Sequence, residues 1–182
     1  MYNVTINGNT TGSKITGIRL SDAARVKLES VTIKDCSIGI SSPHGDIEAS
    51  SLTFDGCDYG IVGRMSTFGV DTLVVRNCTT GIKASRMPMD IGEASFTNVE
   101  TCFYVDDSFI NTYAPSSLTL DNITKLIDKD IDFKGRINLM CNVQTNEELA
   151  AFFDMIKAGH CNSTTVGFIV DFEGITYNDV PI

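Results

Sequence analysis

Apolar and polar residues alternate along this chain in short bursts that return on a fixed step. Val31 and Ile33, Leu52 and Phe54, and Leu73 and Val75 each flank a single residue, and each burst lies 21 residues after the last. After a further 21 residues, Ala94, Phe96, Asn98, Val99, Cys102 and Phe103 fill the same slots. After a step of 24, Leu118, Leu120, Asn122, Ile123, Leu126 and Ile127 fill them again. Alternation turns one face of a strand toward a core. A period in the twenties is the signature of a solenoid, in which each repeat buries its apolar face only against its neighbours.

The other slots fit that reading. After each apolar pair comes Asp35, Gly56, Asn77, Asn98 or Asn122, residue types that tolerate left-handed backbone and bond locally at turns. The next slot holds Cys36, Cys57, Cys78, Val99 or Ile123, small or apolar side chains suited to the interior of a narrow coil. Gly39, Gly60 and Gly81 then mark a second bend, each followed by an inward isoleucine. Neither the pattern of a leucine-rich repeat nor a helical period is present. The fold class expected is all-β, a right-handed parallel β-helix of about five to six coils over residues 1–143.

In these coils of apolar-x-apolar-x-Asn-x-x-x-Gly-Ile type, the chain resembles the pectate-lyase-like β-helix superfamily over roughly residues 4–143. The resemblance implies the fold and a turn-asparagine ladder. It leaves activity open, because lyases, hydrolases, phage tailspikes and plain binding scaffolds share that architecture.

The two ends depart from the repeat. Residues 2–20 read as an irregular first coil without a cap, so the expectation is either that the chain is cut from something longer or that another surface, such as a second copy, covers this end. Residues 144–182 read as a C-terminal cap in the same globular unit. Thr145 and Glu148 form a capping box, and Leu149, Phe152, Phe153 and Ile156 share one face of a helix over about residues 146–158 that ends at Gly159. Val166–Phe172 and Ile175–Tyr177 read as closing strands in a hairpin around Glu173-Gly174.

Between the repeats, residues 41–46, 62–69, 83–90 and 104–115 read as stacked loops on one side of the solenoid. They carry His44, Met65, Arg86 and Asp107 at matched positions, with Arg64 and Asp106 one place earlier. Phe68, Met87, Met89, Phe109 and Tyr113 are expected to add apolar surface there. Loops on one side of a scaffold are where function concentrates.

Composition narrows the function classes. The 182 residues carry a net charge of −9, with a pI near 4.5, which argues against direct binding to a nucleic-acid backbone. The charge is uneven: residues 1–103 hold 9 basic and 11 acidic residues, and residues 104–182 hold 5 and 12. No signal-peptide pattern or membrane-length apolar run is present, so a cytoplasmic or virion-associated protein is expected. Cys36, Cys57 and Cys78 share one inward slot and read as reduced core thiols.

Recognisable catalytic or cofactor motifs are lacking. The resemblance implies chemistry by aspartates and arginine across a sugar bond, for which Asp106, Asp107 and Arg86 are the weak catalytic candidates. Asp128, Asp130 and Asp132 alternate without the glycine and bidentate glutamate of a calcium loop. His160-Cys161 and Cys141 lack paired zinc spacing. No metal and no cofactor is therefore expected. The leading expectation is a non-catalytic acidic β-helix that binds a protein partner through His44, Arg64, Arg86, Asp107, Asp128, Asp130 and Asp132. A phage-type inhibitor imitating the charge of nucleic acid, held by a basic nucleic-acid-binding protein, would suit such a surface. The alternative is a glycan-binding or glycan-cleaving β-helix.

Overall fold

In the computed structural model, residues 3–9, 11–106, 112–114, 117–129, 137–142, 166–171, 176–177 and 180–181 are described. They form a parallel β-solenoid of about five turns, with no helix among them. The capping helix expected over 146–158 lies outside the described residues.

The strands are β1 (Val4–Asn7), β2 (Thr16–Arg19), β3 (Arg25–Lys34), β4 (Ile38–Ser42), β5 (Asp46–Asp55), β6 (Tyr59–Arg64), β7 (Thr67–Arg76) and β8 (Thr80–Ser85). They continue as β9 (Met89–Asp106), β10 (Thr112–Ala114), β11 (Ser117–Lys129), β12 (Ile137–Asn142) and β13 (Val166–Asp171). β14 (Thr176–Tyr177) and β15 (Val180–Pro181) follow. The pairings reproduce the repeat: Leu52 lies beside Val31 and Leu73, and Ala94 beside Leu73 and Leu118, all in parallel. In the first coil the step stretches, Val4 pairing with Val31 and Ile18 with Ile40.

Each coil has three faces. β5 shows why its long strand serves two of them. Ile47 and Ala49 point inward, Ser50 and Ser51 both point outward, and Leu52 and Phe54 point inward again. Two successive outward residues bend the strand, and the parallel ladder skips that step between β3, β5, β7 and β9. Residues 46–50 thus belong to a first face and 51–55 to a second. β4, β6 and β8 form the third.

Between the second and third faces the chain turns through left-handed backbone at every repeat. Asp35, Asn77, Asn98 and Asn122 have φ of 54°, 54°, 54° and 49°, and Gly56 has 69°. The residues after them, Cys36, Cys57, Cys78 and Val99, are buried. At Gly60 the bend into the third face brings backbones together. A Cβ there would lie 2.5 Å from the carbonyl oxygen of Gly81 and 3.2 Å from the Phe54 ring, so the slot admits no side chain. The core runs up the axis through Phe54, Phe68, Phe96 and Phe103. Phe96 and Phe103 meet edge-on with centroids 5.2 Å apart.

Three expectations change. The stretches 41–46, 62–69 and 83–90 are mostly strand, and the turns between third and first faces shrink to a few residues around His44, Met65 and Arg86. Phe68, Met87 and Met89 are 1%, 0% and 2% exposed and belong to the core, not to an apolar edge. Their strand alternation continues the inward pattern past the turn, which a loop assignment hides. At the C-terminal end, β13 pairs in parallel with β12 and β14 antiparallel with β15, so among the described residues the two closing strands do not pair with each other; Glu173-Gly174 lies outside the described residues.

Candidate functional site

Two outward regions carry chemistry. The first is the edge that the sequence singles out. Ala23 donates its backbone N–H to the His44 carbonyl at 3.0 Å, and Met65 donates to the Ser85 carbonyl at 2.9 Å, so successive turns stack. Ala23, Met65 and Arg86 hold φ of 58°, 47° and 50°, a conformation that disfavours residues with a Cβ by about 1–2 kcal/mol. His44 sits 2.8 Å from the Asp22 carboxylate through Nδ1. Met65 is 42% exposed. Arg64, next to it, makes no hydrogen bond or ion pair among the described residues.

The other expected site residues do not all join this edge. The backbone of Asp106 lies in register with Ser85, beside Arg86. Asp107, Asp130 and Asp132 lie outside the described residues. Asp128 accepts from the Lys125 ammonium at 3.0 Å and stands above Tyr104 on the third face, away from the turn edge. His160 and Cys161 lie outside the described residues. Among the described residues no group of three or more metal-ligating side chains forms. Cys36, Cys57, Cys78 and Cys102 are buried and in no disulfide. Burial pushes the Cys36 thiol up, and the hydrogen bond to Cys57, then burial, does the same to Cys78.

The second region is a groove of about 330 Å³ on the outer side of the first face, which the sequence reading passes over. Its central column runs up the axis as Lys27, Glu48, Gly69 and Asp90, one residue from each of β3, β5, β7 and β9. Ser50, Asp71 and Gly92, at the bend, line its flank. Four coils at ~4.8 Å spacing give the groove a length of ~14 Å.

Gly69 opens it. Its backbone is not left-handed, and a Cβ there would meet only the Ile47 carbonyl oxygen, at 4.0 Å. Nothing in the packing requires glycine at this position, and glycine in a strand interior lowers stability by about 0.5–1 kcal/mol. Its effect is to leave a notch between Glu48 below and Asp90 above. Gly92 differs, because a Cβ there would fall 2.5 Å from the Asp71 carbonyl oxygen.

Asp46, Asp55, Asp58 and Asp128 each hold a cation of this chain, and Asp22 holds His44. Glu48, Asp71 and Asp90 are exposed. The groove is thus lined by three carboxylates, a serine hydroxyl and, at one end beside Glu48, Lys27. Such a lining accepts hydrogen bonds from hydroxyl or amine donors and repels anions. In sequence, the signal is the outward column 27, 48, 69, 90 with its flank 50, 71, 92, legible only after the bend at Ser50-Ser51 is known.

Comparison with known proteins adds no relative: no family model, no curated protein and no solved structure matches the chain.

Proposed function

We propose that this protein is a glycan-binding β-helix of the pectate-lyase-like kind, its ligand lying along the groove of the first face. The observation that carries this reading is the groove itself: a notch opened by a glycine with no packing role, lined by polar groups from four successive coils. Carboxylates are strong acceptors for the paired hydroxyls of sugars, and hydrogen bonds to charged groups contribute about 1.5–3 kcal/mol each. An extended β-linked glycan has a rise per sugar close to the rise per coil, so successive sugars meet successive coils. Polyuronates fit poorly, because their carboxylates would face Glu48, Asp71 and Asp90.

Titration of the protein with neutral, cationic and uronate oligosaccharides, followed calorimetrically, tests the reading. Binding by at least one class, lost in Gly69→Val, supports it. Binding by none, or undiminished binding by Gly69→Val, overturns it.

A second reading, a protein partner, is favoured by the turn edge, where exposed Met65 lies between Arg64 and Arg86. A rigid scaffold with an exposed apolar side chain flanked by two arginines is a reasonable hot spot. Capture from lysate by wild type, lost in the Arg64→Glu/Met65→Glu double variant while the groove variants still capture, would favour this reading over the first.

A further inference from the structure

We propose that Cys57 and Cys78 form a site of reversible oxidation, at which hydrogen peroxide joins their sulfurs in a disulfide across two neighbouring coils. Both lie at the same point of the turn between the second and third faces, Cys57 between β5 and β6 and Cys78 between β7 and β8. Backbone hydrogen bonds hold the column in register. The Asp58 N–H donates to the Cys36 carbonyl at 3.0 Å, and the Thr79 N–H to the Cys57 carbonyl at 3.2 Å. Like residues on stacked coils stand ~4.8 Å apart, within the ~4.4–6.8 Å between Cα atoms that a disulfide spans. The sulfurs already meet, because the Cys78 thiol donates a hydrogen bond to that of Cys57.

Three thiols share the column, and their surroundings separate them. The Cys36 sulfur is packed against the first coil, where a Cβ on Gly8 or Gly17 would lie 3.0 or 3.4 Å from it. Cys36 is 0% exposed, whereas Cys57 and Cys78 keep 2% and 4%. The Cys36 and Cys78 thiols donate to the Lys34 and Arg76 carbonyls at 3.3 and 3.2 Å. Cys57 has only longer contacts, 3.8 and 3.9 Å from the Ile33 and Asp55 carbonyls, so it serves as an acceptor. The hydrogen bond from Cys78 holds the Cys57 thiol below its ordinary value against the effect of burial. The thiolate is the reactive form, which makes Cys57 the nucleophile and Cys78 the thiol that resolves it.

In the first step the Cys57 sulfur attacks one peroxide oxygen. The O–O bond breaks, and the thiol proton leaves with the displaced oxygen as water, giving a sulfenic acid on Cys57. The Cys78 sulfur then attacks the Cys57 sulfur. An S–S bond forms, the S–O bond breaks, and the Cys78 proton leaves in a second water. Two thiols lose two electrons and one peroxide becomes two waters. Hydrogen peroxide is little larger than water and enters by local opening of the turn.

The test exposes reduced, native protein to hydrogen peroxide, alkylates the remaining thiols in denaturant and maps the peptides without reduction. Cleavage at Glu48, Arg64, Arg76 and Lys83 places Cys36, Cys57, Cys78 and Cys102 on separate peptides. The expected product links Cys57 to Cys78, leaves Cys36 and Cys102 alkylated, and returns to thiols with dithiothreitol. In Cys78→Ser, where a hydroxyl donor remains, dimedone should capture a sulfenic acid on Cys57. Cys57→Ser should give neither link nor capture, while Cys102→Ser should behave as wild type. A link from Cys36 to Cys57 overturns the assignment of the pair. A link formed only after urea unfolding overturns the site, as do Cys57 and Cys78 thiols that survive peroxide doses oxidising free glutathione. A linked protein that melts below the reduced one overturns the fit of the bridge to the coil register.

Discussion

Asn98 donates its side-chain amide to the side-chain carbonyl of Asn77 at 3.1 Å, and its own carbonyl accepts from Asn122 at 2.8 Å. Asn77 in turn donates to Asp55 Oδ1 at 2.8 Å, because Gly56 interrupts the ladder below it. The space there is taken by the Asp35 carboxylate, whose Oδ1 lies 2.6 Å from where a Cβ on residue 56 would be. The asparagines thus serve twice, as residues tolerant of left-handed backbone and as rungs joining one coil to the next.

Asn98→Ala removes two rungs and places an alanine in the left-handed region. The expected loss is about 1–3 kcal/mol. Asn98→Gly keeps the backbone conformation and should lose less. Urea unfolding of the two variants measures the difference, and equal losses would show that the backbone conformation contributes nothing.

Two glycines on neighbouring coils should respond in opposite directions. Gly60→Ala drives a Cβ against the Gly81 carbonyl and the Phe54 ring, an overpacking expected to lower stability by about 1–3 kcal/mol. Gly69→Val meets open space in a strand and should raise stability by up to about 1 kcal/mol. Thermal melts decide. A destabilised Gly69→Val would mean that the glycine has a packing role after all.

Asp46 accepts from the Thr67 hydroxyl at 2.7 Å and from Arg25 Nε at 3.0 Å. The Thr67 hydrogen bond, followed by the charge of Arg25, holds its carboxyl below the usual range. A depressed folded-state pKa contributes stability above the unfolded value, and that contribution disappears as pH falls through the folded one. Thr67→Val and Arg25→Ala should each move the Asp46 titration upward. Carboxyl chemical shifts followed against pH give the answer, and a variant that leaves the titration in place would remove its partner from the causes.

Cys36, Cys57, Cys78 and Cys102 are buried, so a water-soluble thiol reagent should leave all four unmodified in the native protein and label them once urea unfolds it. Peptide mapping identifies the labelled sites. Rapid native labelling at Cys57 or Cys78 would show that the second-to-third-face turn opens far more readily than its buried side chains imply.

The 21-residue step, the alternation at Val31/Ile33 and its successors, and the Asn or Gly slot already specify strands, turn and interior. These positions are legible because the core and the left-handed turn each admit few residue types. The first face was harder to see: Phe68, Met87 and Met89 follow a short turn and look like loop residues until strand pairing places them inside. His44 and Arg86 lie in the short turns between the third and first faces, with Arg64 just before the turn at Met65, while Asp128 lies in register with Tyr104 on the third face.

The sequence by itself determined the solenoid, because its repeat is written in the residues that must be buried or must adopt left-handed backbone. Only the tertiary structure decided the groove. Outward residues such as Glu48, Asp71 and Asp90 carry no packing constraint, so no periodicity marks them. Coil-to-coil register and the bend at Ser50-Ser51 are what bring three carboxylates and the empty position of Gly69 onto one outward face.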